Sequence, residues 1–280
     1  MEFSNTITCS HYNNKQKILL VGEGDFSFSL CLAKAFGSAT NITATSLDTR
    51  EELEQKYKDA KNNVEELERR GCTVIHGVNV HSMDKDHRVV RSIVYDRIIF
   101  NFPHAGFHFG RETDSYTILQ HQEVVKGFFL SAKELVDASG EIHVTHKIAH
   151  PFTSWNIKTL GEEKGLNCVR EKEFYTFQYP GYSNKRGSGI DCDSSFPVGL
   201  SSTFMFKKKP CNKQRILLVG EGDFTFSLSL ARAFGSATNL TATSLDTREE
   251  IELNYANGKA NIEELTRLGC TEIHDLTCTP

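Results

Sequence analysis

The sequence predicts an α/β protein: a doubly wound sheet of seven strands closed by an antiparallel final hairpin, then a partial repeat of its first βαβαβ half. Three observations carry this. Short apolar runs rich in branched residues alternate five times with helix-length segments, as in a parallel sheet with crossover helices. After the fifth unit, two strand-like runs follow each other with no helix between them, and strands so joined pair antiparallel. Finally, Lys15–Val78 returns as Lys213–Leu276 with most positions identical. A spacing of about two hundred residues marks a duplicated domain, because solenoid repeats are only a few tens of residues long.

Each element has a local reason. Lys17–Val21 is a short branched run suited to a buried parallel strand, and Gly22–Asp25 is the turn after it. Phe26–Phe36 places Phe28, Leu32, Ala35 and Phe36 at helical spacing, with Gly37 as C-cap. Asn41–Leu47 is the second strand, ending at Asp48. Thr49 is the N-cap of a long charged helix through Arg70, stopped by Gly71. Cys72–Val80 holds the third strand and its following loop, and Tyr95–Phe100 is the fourth strand, running into Asn101-Phe-Pro-His104. Ser115–Ala138 is a long amphipathic helix, Gly140–His146 the fifth strand, and Thr153–Lys164 a further helix stopped at Gly165. Cys168–Gln178 and Leu200–Lys207 are the two final strands, joined by a Pro-, Gly- and Ser-rich segment. Five βα units closed by such a pair give the Rossmann-like seven-stranded methyltransferase sheet, where a dehydrogenase has six parallel strands.

The expected organisation is a disordered N-terminus (1–14), a complete domain (15–207), a basic linker (208–214) and a truncated second copy (215–280). A half sheet leaves an open edge and an uncovered apolar face, so the second copy is expected to be marginal alone. The net charge of −4 excludes a broadly basic nucleic-acid coat, and any RNA contact has to be local. No apolar run reaches the length of a membrane span, and 1–14 has no signal-peptide core. The eight cysteines lack close pairing spacings, which suggests reduced thiols in a soluble intracellular protein. Cytoplasm and nucleolus both fit.

In a doubly wound sheet, ligands lie beyond the carboxyl ends of the strands. Four segments reach that edge. Gly22-Glu23-Gly24-Asp25 can turn tightly and lead a helix N-terminus to a ligand, and Phe26 and Ser27 continue it. Ser27 stands where a dinucleotide fingerprint has its third small residue, a poor match, and the turn also reads as purely structural. Asp48 has the spacing to accept hydrogen bonds from ribose hydroxyls, or it caps a helix together with Thr49. Asn79 can read an adenine edge or be a plain loop residue. Asn101, Phe102, Pro103 and His104 offer an amide for a base edge, a ring for stacking and a side chain able to hold a proton. His143, His146 and His150 cluster, but His143 and His146 alternate on a strand with no Cys or Asp at ligand spacing, so no metal is expected. The chain has no Gly-x-Ser-x-Gly elbow.

Val21-Gly-Glu-Gly-Asp-Phe-Ser-Phe-Ser29, Asn101-Phe-Pro-His-Ala-Gly106, His143-Val-Thr-His146, Pro151-Phe-Thr-Ser-Trp155 and Tyr179-Pro-Gly-Tyr-Ser-Asn-Lys-Arg-Gly187 together resemble the 25S rRNA uridine-N3 methyltransferase-like family, particularly its plant-type members. The resemblance spans about Lys15–Lys207. It implies a Rossmann-like fold, S-adenosylmethionine as cofactor, and ribosomal RNA or a pre-ribosome as partner. By position, Gly22, Gly24 and Asp25 would bind the methionine end of the cofactor, Asp48 its ribose, and Asn101–His104 the target base, with His104 as general base or water taking the proton instead. Asn79 departs from the aspartate that the family usually has there. Lys185 and Arg186 would contact RNA phosphates or form a solvated loop. The second copy keeps Gly220, Gly222, Asp223 and Asp246 but has no counterpart of Asn101–His104, so it is expected not to catalyse. Two other readings stand beside this one: a non-catalytic RNA- or protein-binding paralogue, and a nicotinamide-dependent oxidoreductase served by the same glycine turn and Asp48.

Overall fold

A computed structural model describes residues 6–90, 94–106, 110–209 and 215–275. The chain divides into two compact units, Met1–Lys208 and Lys209–Pro280.

The first unit opens with a hairpin of β1 (Thr8–Cys9) and β2 (Tyr12–Asn13). Next come β3 (Ile18–Val21), α1 (Ser27–Phe36), β4 (Ile42–Thr45), α2 (Arg50–Lys56), α3 (Ala60–Arg69), β5 (Thr73–Ile75), α4 (His87–Val90) and β6 (Tyr95–Asn101). The unit finishes with α5 (Ser115–Leu135), β7 (Val136–Lys147), α6 (Ile157–Glu163), β8 (Leu166–Glu173) and β9 (Ser201–Lys208). The seven-stranded sheet has the order β5-β4-β3-β6-β7-β9-β8. Strands β3 to β7 are mutually parallel, while β9 runs antiparallel to both β7 and β8. This is the expected mixed sheet with its antiparallel closing pair, and it is not the six-parallel-strand sheet of a dehydrogenase.

Strand β3 shows why its sequence is apolar throughout. Ile18 and Leu20 pack into one buried cluster with Phe28 and Leu32 of α1, and Leu19 and Val21 pack into the other with Phe128 and Phe129 of α5. Alternate side chains point to opposite faces, so a central strand covered on both sides needs an apolar residue at every position.

Several expectations are corrected. The N-terminal segment is not disordered over residues 6–14: Tyr12 is buried, and its hydroxyl lies 3.0 Å from His143 Nδ1 in the sheet. A polar composition hid this, because a single anchoring aromatic leaves no periodic signal. The single helix expected over 49–70 is two helices. It starts as expected, with a capping box between Thr49 and Glu52, but breaks at Tyr57, which is extended (φ −128°, ψ 121°) and buried. Helix α1 begins at Ser27, because Phe26 is a left-handed N-cap (φ 60°). The stretch between Val80 and Val94 carries a 3-10 turn at Met83–Lys85 and α4, which no apolar periodicity announces. Lys208 completes β9 rather than opening a linker, and 210–214 lie outside the described residues.

The second unit comprises β10 (Ile216–Leu218), α7 (Thr225–Phe234), β11 (Leu240–Thr243), α8 (Arg248–Asn254), α9 (Gly258–Arg267) and β12 (Thr271–Ile273). Its parallel sheet, ordered β10-β11-β12, repeats β3-β4-β5. The helices cover one face around Phe224, Leu228 and Ile251. The other face is bare. Leu217 and Val219 are 62% and 74% exposed, where their counterparts Leu19 and Val21 are 0% and 2% exposed.

A candidate cofactor and base cleft

Beyond the carboxyl ends of β3, β4 and β6 lies a cleft of about 480 Å³. It gathers eleven of the residues singled out from sequence: Gly22, Glu23, Gly24, Asp25, Asp48, Asn79, Asn101, Phe102, His104, Lys185 and Arg186. Phe26, Ser27 and Pro103 do not line it.

The turn after β3 shows a division of labour. Gly22 has φ +66°, and a Cβ there would lie 2.4 Å from Cε2 of Phe100, so the position needs glycine for both conformation and space. Glu23 turns back into the protein, where its carboxylate accepts from Ser29 N–H (3.0 Å) and Ser29 Oγ (2.8 Å). Burial pushes the Glu23 pKa up to about 7. Asp25 Oδ1 accepts from Ser27 N–H at 2.9 Å, and burial raises its pKa as well. Ser27 serves the distant loop instead of the cleft: its hydroxyl accepts from Ser183 N–H (2.9 Å) and donates to Ser183 O (3.2 Å). Phe26 is fully buried, as the left-handed cap that turns the chain into α1.

Asp48, at the end of β4, faces Lys56 Nζ at 2.5 Å. Neither Lys56 nor Tyr57, which also line the cleft, was evident from composition. The repeat held part of the signal: Tyr57 recurs as Tyr255, whereas Lys56 becomes Asn254. Tyr57 packs on the turn, with its ring 3.5 Å from where a Gly24 Cβ would lie. Asn79 is exposed, and its side-chain oxygen accepts from His81 N–H at 2.9 Å.

Strand β6 delivers Asn101 opposite Thr145 of β7. Among the described residues, both side-chain amide atoms of Asn101 are buried without a hydrogen-bond partner. An unsatisfied buried amide costs about 1–3 kcal/mol, so a ligand that pairs both atoms would offset that cost. Phe102 follows in a left-handed conformation (φ 50°), held by its N–H to Thr145 O at 2.8 Å. Its ring meets Phe174 and Phe196 edge-on at 5.5 and 5.3 Å. Pro103 is buried beneath the loop.

His104 does not have the open lone pair that a base requires. Its Nδ1 accepts from Gly106 N–H at 2.9 Å, which places the proton on Nε2, 2.9 Å from Glu112 Oε1. His121 repeats the pattern: Nδ1 accepts from Ala105 N–H at 3.0 Å, and Nε2 lies 3.5 Å from the other Glu112 oxygen. The His104 hydrogen bond, with the His121 ring close to the other oxygen, holds the Glu112 carboxyl well below the usual range. The three side chains have ligand-type atoms within 4.8 Å of one another, but a metal-binding nitrogen must carry no proton, and backbone donors at Nδ1 put the protons on both Nε2 atoms. The triad is therefore a hydrogen-bonded clamp between the base loop and α5.

Lys185 is also not a surface contact for RNA. Its ammonium is largely buried, 2.6 Å from Asp193 and 3.8 Å from Asp25, and ties the 179–199 loop across the glycine turn. Its neighbour Arg186 is exposed at the rim and makes no ion pair among the described residues.

The second unit reproduces the turn without the cleft. Glu221 holds Ser227 as Glu23 holds Ser29. Gly220 keeps φ +72°, yet among the described residues nothing lies within 4 Å of its added Cβ and no strand stands beside β10 where β6 stands beside β3.

The chain is similar to several known proteins. The chain is 54% identical over 198 residues to an uncharacterized Arabidopsis thaliana protein, At4g26485, spanning 70% of this chain and 94% of that protein. It is 49% identical over 197 residues to heavy metal-associated isoprenylated plant protein 41 of the same plant, where the match spans 70% of this chain but 38% of the relative. The 25S rRNA (uridine(2634)-N(3))-methyltransferase of Saccharomyces cerevisiae is 22% identical over 227 residues, 62% of this chain and 67% of the yeast protein. Among solved structures, a TehB-like SAM-dependent methyltransferase from Corynebacterium glutamicum aligns over 69% of this chain and 80% of that one, with 16% identity and a TM-score of 0.39. A family model matches residues 19–186 and again 217–280. The chain belongs to that family, the BMT5-like group described as rRNA (uridine-N3-)-methyltransferase BTM5-like.

Proposed function

We propose that the first unit is an S-adenosylmethionine-dependent methyltransferase acting on uridine N3 of large-subunit ribosomal RNA, free or in a pre-ribosome, met in the nucleolus or cytoplasm. The observation that carries this reading is the Asn101 amide, buried without a partner among the described residues, in the same cleft as the Gly22–Asp25 turn and Asp48.

The cleft suits the cofactor. The glycine turn leaves its backbone uncovered at Gly22 and Gly24, and Asp48 offers a carboxylate to ribose hydroxyls in competition with Lys56. Asn79 offers an amide at the adenine end. When bound, S-adenosylmethionine supplies an electrophilic methyl group. The target uridine has to leave its stack to enter. Asn101 then presents both a donor and an acceptor to the base edge, and Phe102 borders the base through a backbone fixed by Thr145. Orientation of the acceptor nitrogen supplies most of the protein's contribution. Water takes the N3 proton, because both His104 nitrogens are committed to the clamp.

Calorimetric titration of S-adenosylmethionine and of NAD into the whole protein tests the cofactor assignment. Binding of the first alone is expected, whereas binding of NAD alone would restore the oxidoreductase reading.

A further inference from the structure

We infer that the groove beside the cleft, walled by Tyr175, Phe177 and Phe196, is a stacking site for an unpaired nucleotide flanking the target uridine. This rests on the RNA reading above. The groove measures about 350 Å³ and shares Phe196 with the cofactor cleft. Phe196 also touches the base loop through its edge contact with Phe102, so a strand with one base in the cleft reaches the groove directly.

Two features specify the occupant. Tyr175 and Phe177 stack on each other at 5.3 Å and 26°, yet they are 44% and 76% exposed. The Tyr175 hydroxyl is tethered to the Glu173 carboxylate, which fixes that ring in place. Rigid aromatic faces left in solvent fit the faces of nucleobases, which stack whatever their sequence. The second feature is charge. Lys147 Nζ sits 4.7 Å over the Phe196 ring and 4.6 Å over Phe152, with no ion pair among the described residues. A cation held over the Phe196 ring that both cavities share, beside aromatic faces, suits a phosphate linking two bases.

The test is titration of a fluorescent single-stranded oligouridylate, with calorimetry of S-adenosylmethionine run in parallel on the same proteins. Tyr175→Ala and Phe177→Ala are each expected to weaken RNA binding about five- to a hundred-fold, the range of one lost stack, with cofactor affinity unchanged. Phe177→Trp is expected to restore it, which a merely structural role would not do. If both alanine variants bind RNA as tightly as the wild type, the groove is not a nucleotide site and belongs to a protein surface, while the methyltransferase reading stands. If the wild type binds cofactor but neither binds nor methylates RNA, that reading fails and takes this inference with it.

Discussion

Gly22 and Gly220 occupy the same turn in two copies of one sequence, and that pairing isolates what the cleft wall contributes. Replacing either by alanine forces a side chain into a left-handed backbone, φ +66° and +72° respectively, at a cost of about 1–2 kcal/mol. The two sites then diverge. At Gly22 the new methyl meets the Phe100 ring at 2.4 Å, and Phe100 is buried on the sheet against Phe128 at 5.2 Å. Overpacking of that kind adds about 1–3 kcal/mol. At Gly220 no atom lies within 4 Å, so only the backbone term applies. The expected losses are therefore about 2–5 kcal/mol for Gly22→Ala and about 1–2 kcal/mol for Gly220→Ala, each in its own unit. Trp155 is the chain's single tryptophan and is buried in the first unit, so its fluorescence in urea follows that unit selectively. Gly22→Ala should lower its midpoint by about 1–2 M. Gly220→Ala should leave it in place. Equal shifts from the two substitutions, or none from Gly22→Ala, would show that Phe100 does not close the cleft over the glycine turn.

Three further outcomes follow from the same geometry. Asp48→Ala should weaken S-adenosylmethionine binding by about 1.5–3 kcal/mol in calorimetry, and Asp246→Ala should leave it unchanged; equal losses would mean that the second unit also binds cofactor. Glu23 titrates near 7 when folded against 4.5 free, so its contribution is fully present below pH 4.5 and is lost as pH rises through 7. Glu23→Gln should therefore be more stable than the wild type at pH 8 by up to about 3 kcal/mol and no more stable at pH 4.5, read from the difference in Trp155 midpoints. Arg186→Ala should reduce the salt slope of RNA binding by about one, whereas Lys185→Ala should leave the slope unchanged and lower unfolding stability, because it strands the buried Asp25 carboxylate.

The sheet was legible because its signals are local and periodic. Apolar runs such as Ile18–Val21, the Gly37 cap and the Thr49 N-cap each depend on neighbours in sequence. The carboxyl ends of β3 and β6 were legible too, so many of the residues that reach the cleft were found before their geometry was known. What escaped was set by tertiary partners. Tyr12 folds the N-terminal hairpin through His143, which lies 131 residues away. Tyr57 breaks a helix that propensity favours, because its ring packs on the glycine turn. Ser27, Lys185 and His104 carry the right chemistry for a site, yet they spend it on Ser183, Asp193 and Glu112. A sequence motif reports which side chains approach an edge; it does not report which of their hydrogen bonds are already taken.

The central claim is that Asn101 holds its amide for an RNA base beside a separately held cofactor. Transfer of a labelled methyl group to ribosomal RNA, with the product nucleoside identified, tests it on wild type and Asn101→Ala together with cofactor calorimetry. The account predicts N3-methyluridine from the wild type, and loss of transfer at nearly unchanged S-adenosylmethionine affinity in the variant. Tight cofactor binding by a wild type that methylates no ribosomal RNA, or full transfer by Asn101→Ala, would contradict it.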